Sequence, residues 1–196
     1  MGEESGNRNS RKLVAEAAAA EFAEFGYAGA RTERIARRAG VNKQLLFYYF
    51  GSKAGLYEGV LDSAGSELRQ ALAGAARPAA SPPEALRAML SAVFDALELS
   101  PDLTRLVARS AFEGGANGAG KPIREMSHEF ARVISKGQGL GHFRDDVDPA
   151  RSARQAVVLL VGYLALEDVV AEGPAETRRA LWIESVGDTL IRSLSW

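Results

Sequence analysis

Apolar residues recur along this chain at helical spacing, and no segment alternates apolar and polar positions as a strand would. The pattern predicts an all-α protein of about nine helices. A first helix is expected from about Ser10 to Gly26, with Val14, Ala18, Phe22 and Phe25 as its buried stripe. Thr32 is placed to cap a short second helix that ends at Gly40, and Asn42 to cap a third that runs through Phe50. Ser52 caps a longer fourth helix, whose inner face is Leu56, Val60, Leu61, Ala64, Leu68 and Leu72.

"RPAASPP", Arg77 to Pro83, cannot continue a helix and reads as a linker. Helices over Glu84–Leu99, Pro101–Glu113 and Pro122–Lys136 follow. Asp148 opens a long helix to about Ala171, and Ala175–Leu194 forms the last. In "VVLLVGYLAL" the apolar residues run all the way round, so that helix needs cover on several sides.

One stretch breaks the amphipathic rule. In "AGVNKQLLFYYFGSK", Phe47, Tyr48, Tyr49 and Phe50 follow one another, and residues about 100° apart cannot share one face. The preceding "TERIARRAGV" supplies a small Ala36 for a close helix crossing, Gly40 for the turn, and inward Ile35, Val41 and Leu46. This is helix-turn-helix spacing. With Leu46 and Phe50 inward, two aromatics pack and two are left to present chemistry beside Lys43.

Charge sharpens this reading. The whole chain carries −1, yet Arg31 to Lys53 holds six cations (Arg31, Arg34, Arg37, Arg38, Lys43 and Lys53) against the single acid Glu33. A basic patch on an acidic body suits a polyanion gripped at one end. Without cysteine, disulfides, thiolate catalysis and cysteine zinc sites are excluded. The polar first twelve residues are unlike a signal peptide, and the apolar run Ala156–Leu166 falls well short of the ~20 residues of a membrane span. The expectation is a cytoplasmic protein without a membrane partner.

The segment Arg11–Leu61 strongly resembles the N-terminal domain of the TetR (tetracycline-repressor) family of transcriptional regulators. The matching features are the alanine-rich first helix, "FGY", Thr32, "IARRAGV", the aromatic cluster ending at Phe50, and "SK". The resemblance implies a DNA-binding head over residues 1–54 and a helical effector-binding and dimerisation domain over 55–196. It implies a homodimer on a palindromic double-stranded DNA operator, released by a small-molecule effector. Thr32 would then bond a phosphate, Lys43, Gln44, Leu45 and Phe47 would face the major groove, and Tyr48, Tyr49 and Lys53 the backbone. Arg31 and Asn42 complete the expected DNA-facing set. Gln44-Leu45 and Phe47 depart from the frequent family residues, so base preference does not carry over.

For an effector, the middle helices offer Phe94, Leu97, Leu106, Arg109, Phe112, Met126, Phe130 and Tyr163 as apolar walls with a polar anchor. Arg109 and Glu113, four apart, are placed to pair or to orient a ligand. Val157, Leu160, Val161, Leu164, Trp182, Val186 and Leu190 put enough apolar surface on the last two long helices to cover a second subunit.

Enzyme readings fail on detail. "GANGAGKP", Gly115–Pro122, has Pro122 where a phosphate loop needs Ser or Thr, and "GQGLG", Gly137–Gly141, reads as a bend. His128 and His142 form no metal motif, no nucleophile–base set assembles, and no cofactor or metal is expected. The sequence therefore reads as a ligand-responsive transcriptional repressor. The alternative is a helical small-molecule-binding or protein-interaction module whose helix-turn-helix is not used on DNA.

Overall fold

Side-chain caps and left-handed glycines set the ends of most helices. The computed structural model describes residues 2–77, 79–113, 120–166 and 175–195. Among them lie nine helices and no strand: α1 (Gly2–Gly29), α2 (Thr32–Arg38), α3 (Lys43–Phe50), α4 (Lys53–Ala76), α5 (Pro82–Glu98), α6 (Pro101–Phe112), α7 (Lys121–Gly139), α8 (Pro149–Ala165) and α9 (Ala175–Leu194). Asn42 Oδ1 accepts from the Leu45 N–H at 2.7 Å, Ser52 Oγ from Gly55 at 3.0 Å, and Asp148 Oδ1 from Ala150 at 2.9 Å. Each satisfies a backbone donor that a helix start leaves orphaned. Ser81 and Ser100 cap α5 and α6 in the same way.

Several expectations shift. Helix α1 begins at Gly2 rather than Ser10, and it is broken at Gly26, whose backbone takes φ 67° and ψ 176°. That break ends the buried stripe early: Phe25 is 39% exposed beneath the Arg34 guanidinium, and Tyr27 turns inward beside Phe22 instead. Thr32 does not cap α2. Arg31 is the N-cap residue, without a side-chain bond, and Thr32 is already the first helical residue. Helix α8 spans Pro149–Ala165 with Leu166 as its cap, and the expected end at Ala171 lies outside the described residues. Helix α7 runs through Gly137 to Gly139, so the bend falls later, at Gly141 with φ 74°. Most of the glycine-rich 115–122 stretch lies outside the described residues.

Two apolar cores form, and they meet within α4. The first joins Val14, Ala18 and Phe22 of α1, Ile35 of α2, Leu46 of α3, and Leu56, Tyr57, Val60 and Leu61 of α4. The second takes over at Leu68 and Leu72 and adds Leu86 and Phe94 of α5, Met126 and Phe130 of α7, Val157 and Leu160 of α8, and Leu190 of α9. Helix α6 bridges the two, sending Leu106 to the first core and Val107 to the second. At about 25 cal/mol per Å² of apolar area removed from water, one buried leucine stabilises by roughly 1.5–3 kcal/mol. The inner face of α4 thus welds the head to the body.

The α8 and α9 residues expected to cover a second copy are largely consumed inside the chain. Val157, Leu160, Val161, Leu164, Trp182 and Leu190 are buried against its own helices, and Val186 is half-buried. Trp182 lies 5.5 Å, centroid to centroid, from both Phe94 and Tyr163. The outward apolar residues of α8 are Val158, Leu159 and, at its cap, Leu166, each more than half exposed.

Candidate nucleic-acid interface

The turn between α2 and α3 is built by Gly40, at φ 68°, and by the Val41 N–H donating to the Ala36 carbonyl at 3.0 Å. An L side chain rarely tolerates that backbone, so glycine here sets the angle between the two helices. Leu46, fully buried, anchors α3 to the head core. Phe47, Tyr49 and Phe50 are partly buried against that core, and Tyr48 alone stands clear, 75% exposed. Of the four aromatics, three therefore lean on the scaffold and one projects fully. Lys43 and Gln44 are exposed on the same helix, and Leu45 is intermediate.

The cations divide by task. Arg31, Arg37 and Arg38 are exposed. Arg34 is committed to Glu21, a carboxylate only 3% exposed that also accepts from the Arg31 N–H at 2.9 Å. Burial alone would raise the Glu21 carboxyl. Hydrogen bonds from Arg34 and the Arg31 backbone, with the charges of Arg34 and Arg38, outweigh it and hold the group below its ordinary 4.5. The Lys43 ammonium donates to Glu33, whose carboxyl is held low first by that bond. Lys53 Nζ donates to the Ala28 carbonyl at 3.3 Å and sits 4.9 Å from the Tyr27 ring centroid. Thr32 is buried, with its hydroxyl 3.5 Å from Glu33 Oε2.

The expected effector residues separate. Phe94, Met126 and Phe130 are fully buried in the second core, Tyr163 is half-buried and tilted against Phe94 at 6.3 Å, and Leu106 belongs to the first core. Phe112 is 87% exposed at the end of α6. Leu97 and Arg109 do share a cleft of about 380 Å³, which Glu98, Pro101, Thr104, Arg105, Ala108, Leu164 and Ala165 complete. It lies where α5, α6 and α8 converge. Glu113 is not paired with a ligand anchor but reaches the head, where it accepts from the Tyr27 N–H at 2.6 Å and from the Tyr57 hydroxyl. No three-residue group that could hold a metal occurs among the described residues.

Comparison with known proteins decides the family. Residues 14–60 match the family model "Bacterial regulatory proteins, tetR family", and residues 82–172 match "Tetracyclin repressor-like, C-terminal domain". The chain belongs to the TetR family. This TetR-family chain is 31% identical over 140 residues to the HTH-type transcriptional repressor SCO4008 of Streptomyces coelicolor, covering 70% of the chain and 69% of that relative. It is 28% identical over 195 residues to the repressor NicS of Pseudomonas putida, covering 94% and 92%. The solved structure of the fatty acid degradation regulator FadR from Bacillus halodurans shares the fold, at a TM-score of 0.80 and 16% identity, over 93% of this chain and 98% of that one. The protein is thus a helix-turn-helix, DNA-binding transcriptional regulator, and its two matched segments fall on the head and the body described above. No helix among the described residues is long and apolar enough to cross a membrane.

Proposed function

We propose that this protein represses transcription in the cytoplasm, as a homodimer whose two α3 helices enter successive major grooves of a two-fold operator. The observation that carries this reading is α3 itself. It is capped by Asn42, seated through Leu46, and presents Lys43, Gln44 and Tyr48 outward beside exposed Arg31, Arg37 and Arg38. Lysine and arginine supply sequence-independent attraction to phosphates, the tyrosine hydroxyl donates to a phosphate oxygen, and Gln44 is shaped to read adenine with two hydrogen bonds. Asn42, Leu45, Phe47, Tyr49 and Lys53 frame that surface.

Two heads must stand about 34–36 Å apart to use adjacent grooves. The stripe Gln155, Val158, Leu159, Gly162 and Leu166 on the outer side of α8, with α9 alongside, supports docking of a second copy there. The cleft between α5, α6 and α8 is the proposed effector seat, because α6 forms both its wall and the bridge to the head. An effector that prefers a different α6 position lowers operator affinity by its differential binding, about 1.4 kcal/mol for each tenfold.

Salt-titrated binding to genomic fragments, followed by footprinting, tests this. A protected two-fold site with a steep salt dependence is expected. Weak, sequence-blind retention would instead favour the helical interaction module.

A further inference from the structure

The C-terminal end of α6 makes a connection that neither the groove-facing surface nor the cleft requires. Glu113, the residue that caps α6, turns its carboxylate away from the body and into the head. One oxygen accepts from the Tyr27 N–H, the other from the Tyr57 hydroxyl. Tyr27 is the first residue past the break in α1. Tyr57, 1% exposed, sits on α4 with its ring 4.8 Å from Phe22 and 5.1 Å from Tyr27. A single side chain therefore joins α1, α4 and α6.

The backbone is shaped around this contact. Gly26 adopts φ 67°, and a Cβ there would stand 2.6 Å from Glu113 Oε1 and 3.3 Å from Arg109 Nη1. Arg109 also lines the α5–α6–α8 cleft, so the cleft wall and the junction share one helical turn. Burial first, and the Glu113 carboxylate second, push the Tyr57 phenol far above its ordinary 10.0, which keeps it a donor.

We propose that Glu113 is the positioning residue that fixes the angle of the helix-turn-helix on the body and passes any displacement of α6 to the recognition helix. The idea rests on the two-headed operator reading, and the test separates the two. Full-length wild type, Glu113→Ala, Glu113→Gln, Tyr57→Phe and Gly26→Ala are bound to operators whose half-sites are respaced by one or two base pairs, and to a single half-site. Hydrogen exchange is followed at the Tyr27 amide.

Wild type should favour one spacing by about tenfold or more. Glu113→Ala, Tyr57→Phe and Gly26→Ala should cut that preference to about threefold or less while single half-site binding holds. Glu113→Gln, which keeps an acceptor for Tyr27 and a polar partner for Tyr57, should retain it. A Glu113→Ala or Tyr57→Phe protein with the wild-type spacing preference overturns the proposal. Should wild type show no spacing preference, the two-headed reading falls and the exchange data decide: Tyr27 exchange unchanged in Glu113→Ala overturns the anchor, and faster exchange that Glu113→Gln prevents supports it.

Discussion

At the scale of single residues, the free protein holds Lys43, a cation of the proposed DNA-facing surface, in an ion pair of its own. Lys43 is bonded to Glu33, both exposed, so the pair adds little stability and is broken cheaply when a phosphate competes. Glu33→Gln should raise affinity for operator and unrelated DNA alike by roughly threefold at low salt, an advantage that fades as salt screens it. Lys43→Ala should weaken both and reduce the slope of log K against log salt by about 0.9, measured by fluorescence anisotropy over a salt series. Gln44→Ala belongs to another class: its cost should fall on particular bases, about 1–3 kcal/mol at one operator position, and a variant with unaltered base preference removes Gln44 from the readout. The ion pair of Lys43 was not legible in the chain, since Glu33 lies ten residues away and the partners meet only once the Gly40 turn folds α3 back beside α2.

At the scale of elements, local chemistry was readable and long-range chemistry was not. Asn42, Ser52 and Asp148 announce helix starts because a cap acts over two or three residues. Gly26 and Gly40 mark turns because both hold a positive φ that an L side chain rarely tolerates. Thr32 misleads for the same reason in reverse: Arg31 takes the cap position, and the buried Glu21 of α1 receives its N–H. No periodicity announces that bond. Two consequences are measurable. Asn42→Ala should destabilise the head by about 1 kcal/mol in denaturant melts, whereas Asn42→Asp should keep the cap and weaken DNA binding by placing an anion against phosphates.

Glu21 adds a pH dependence to the α1–α2 joint. Its folded value lies below its ordinary 4.5, so its contribution is complete above that pH and is lost as pH falls through the lowered value. Glu21→Gln should cost about 1–3 kcal/mol near neutrality, through the weakened partnership with Arg34. That difference from wild type should shrink in melts taken progressively below pH 4.5. A gap that stayed constant down to the acid limit would mean that the carboxylate charge is immaterial to the joint.

At the scale of the whole molecule, the question is which side of α8 serves the chain's own core and which is left for the proposed second copy. A helix apolar all round, as Ala156–Leu166 is, carries no periodic signal to tell the two faces apart. Packing separates them: Val157, Leu160 and Leu164 are buried in the core of the body, and Val158, Leu159 and Leu166 are exposed. The two faces predict opposite phenotypes. Leu160→Ala should open a core cavity and cost 2–5 kcal/mol of stability, roughly, in thermal or denaturant unfolding. Leu159→Arg should leave that stability within about 0.5 kcal/mol in the isolated protomer, because the side chain already meets water, yet it should split the dimer in sedimentation experiments. Binding to a full operator should then fall towards that for a single half-site, since the second head no longer acts at high effective concentration. A Leu159→Arg protein that sedimented as a dimer and held the full operator would move the subunit contact off this face of α8 and onto some other surface of the body.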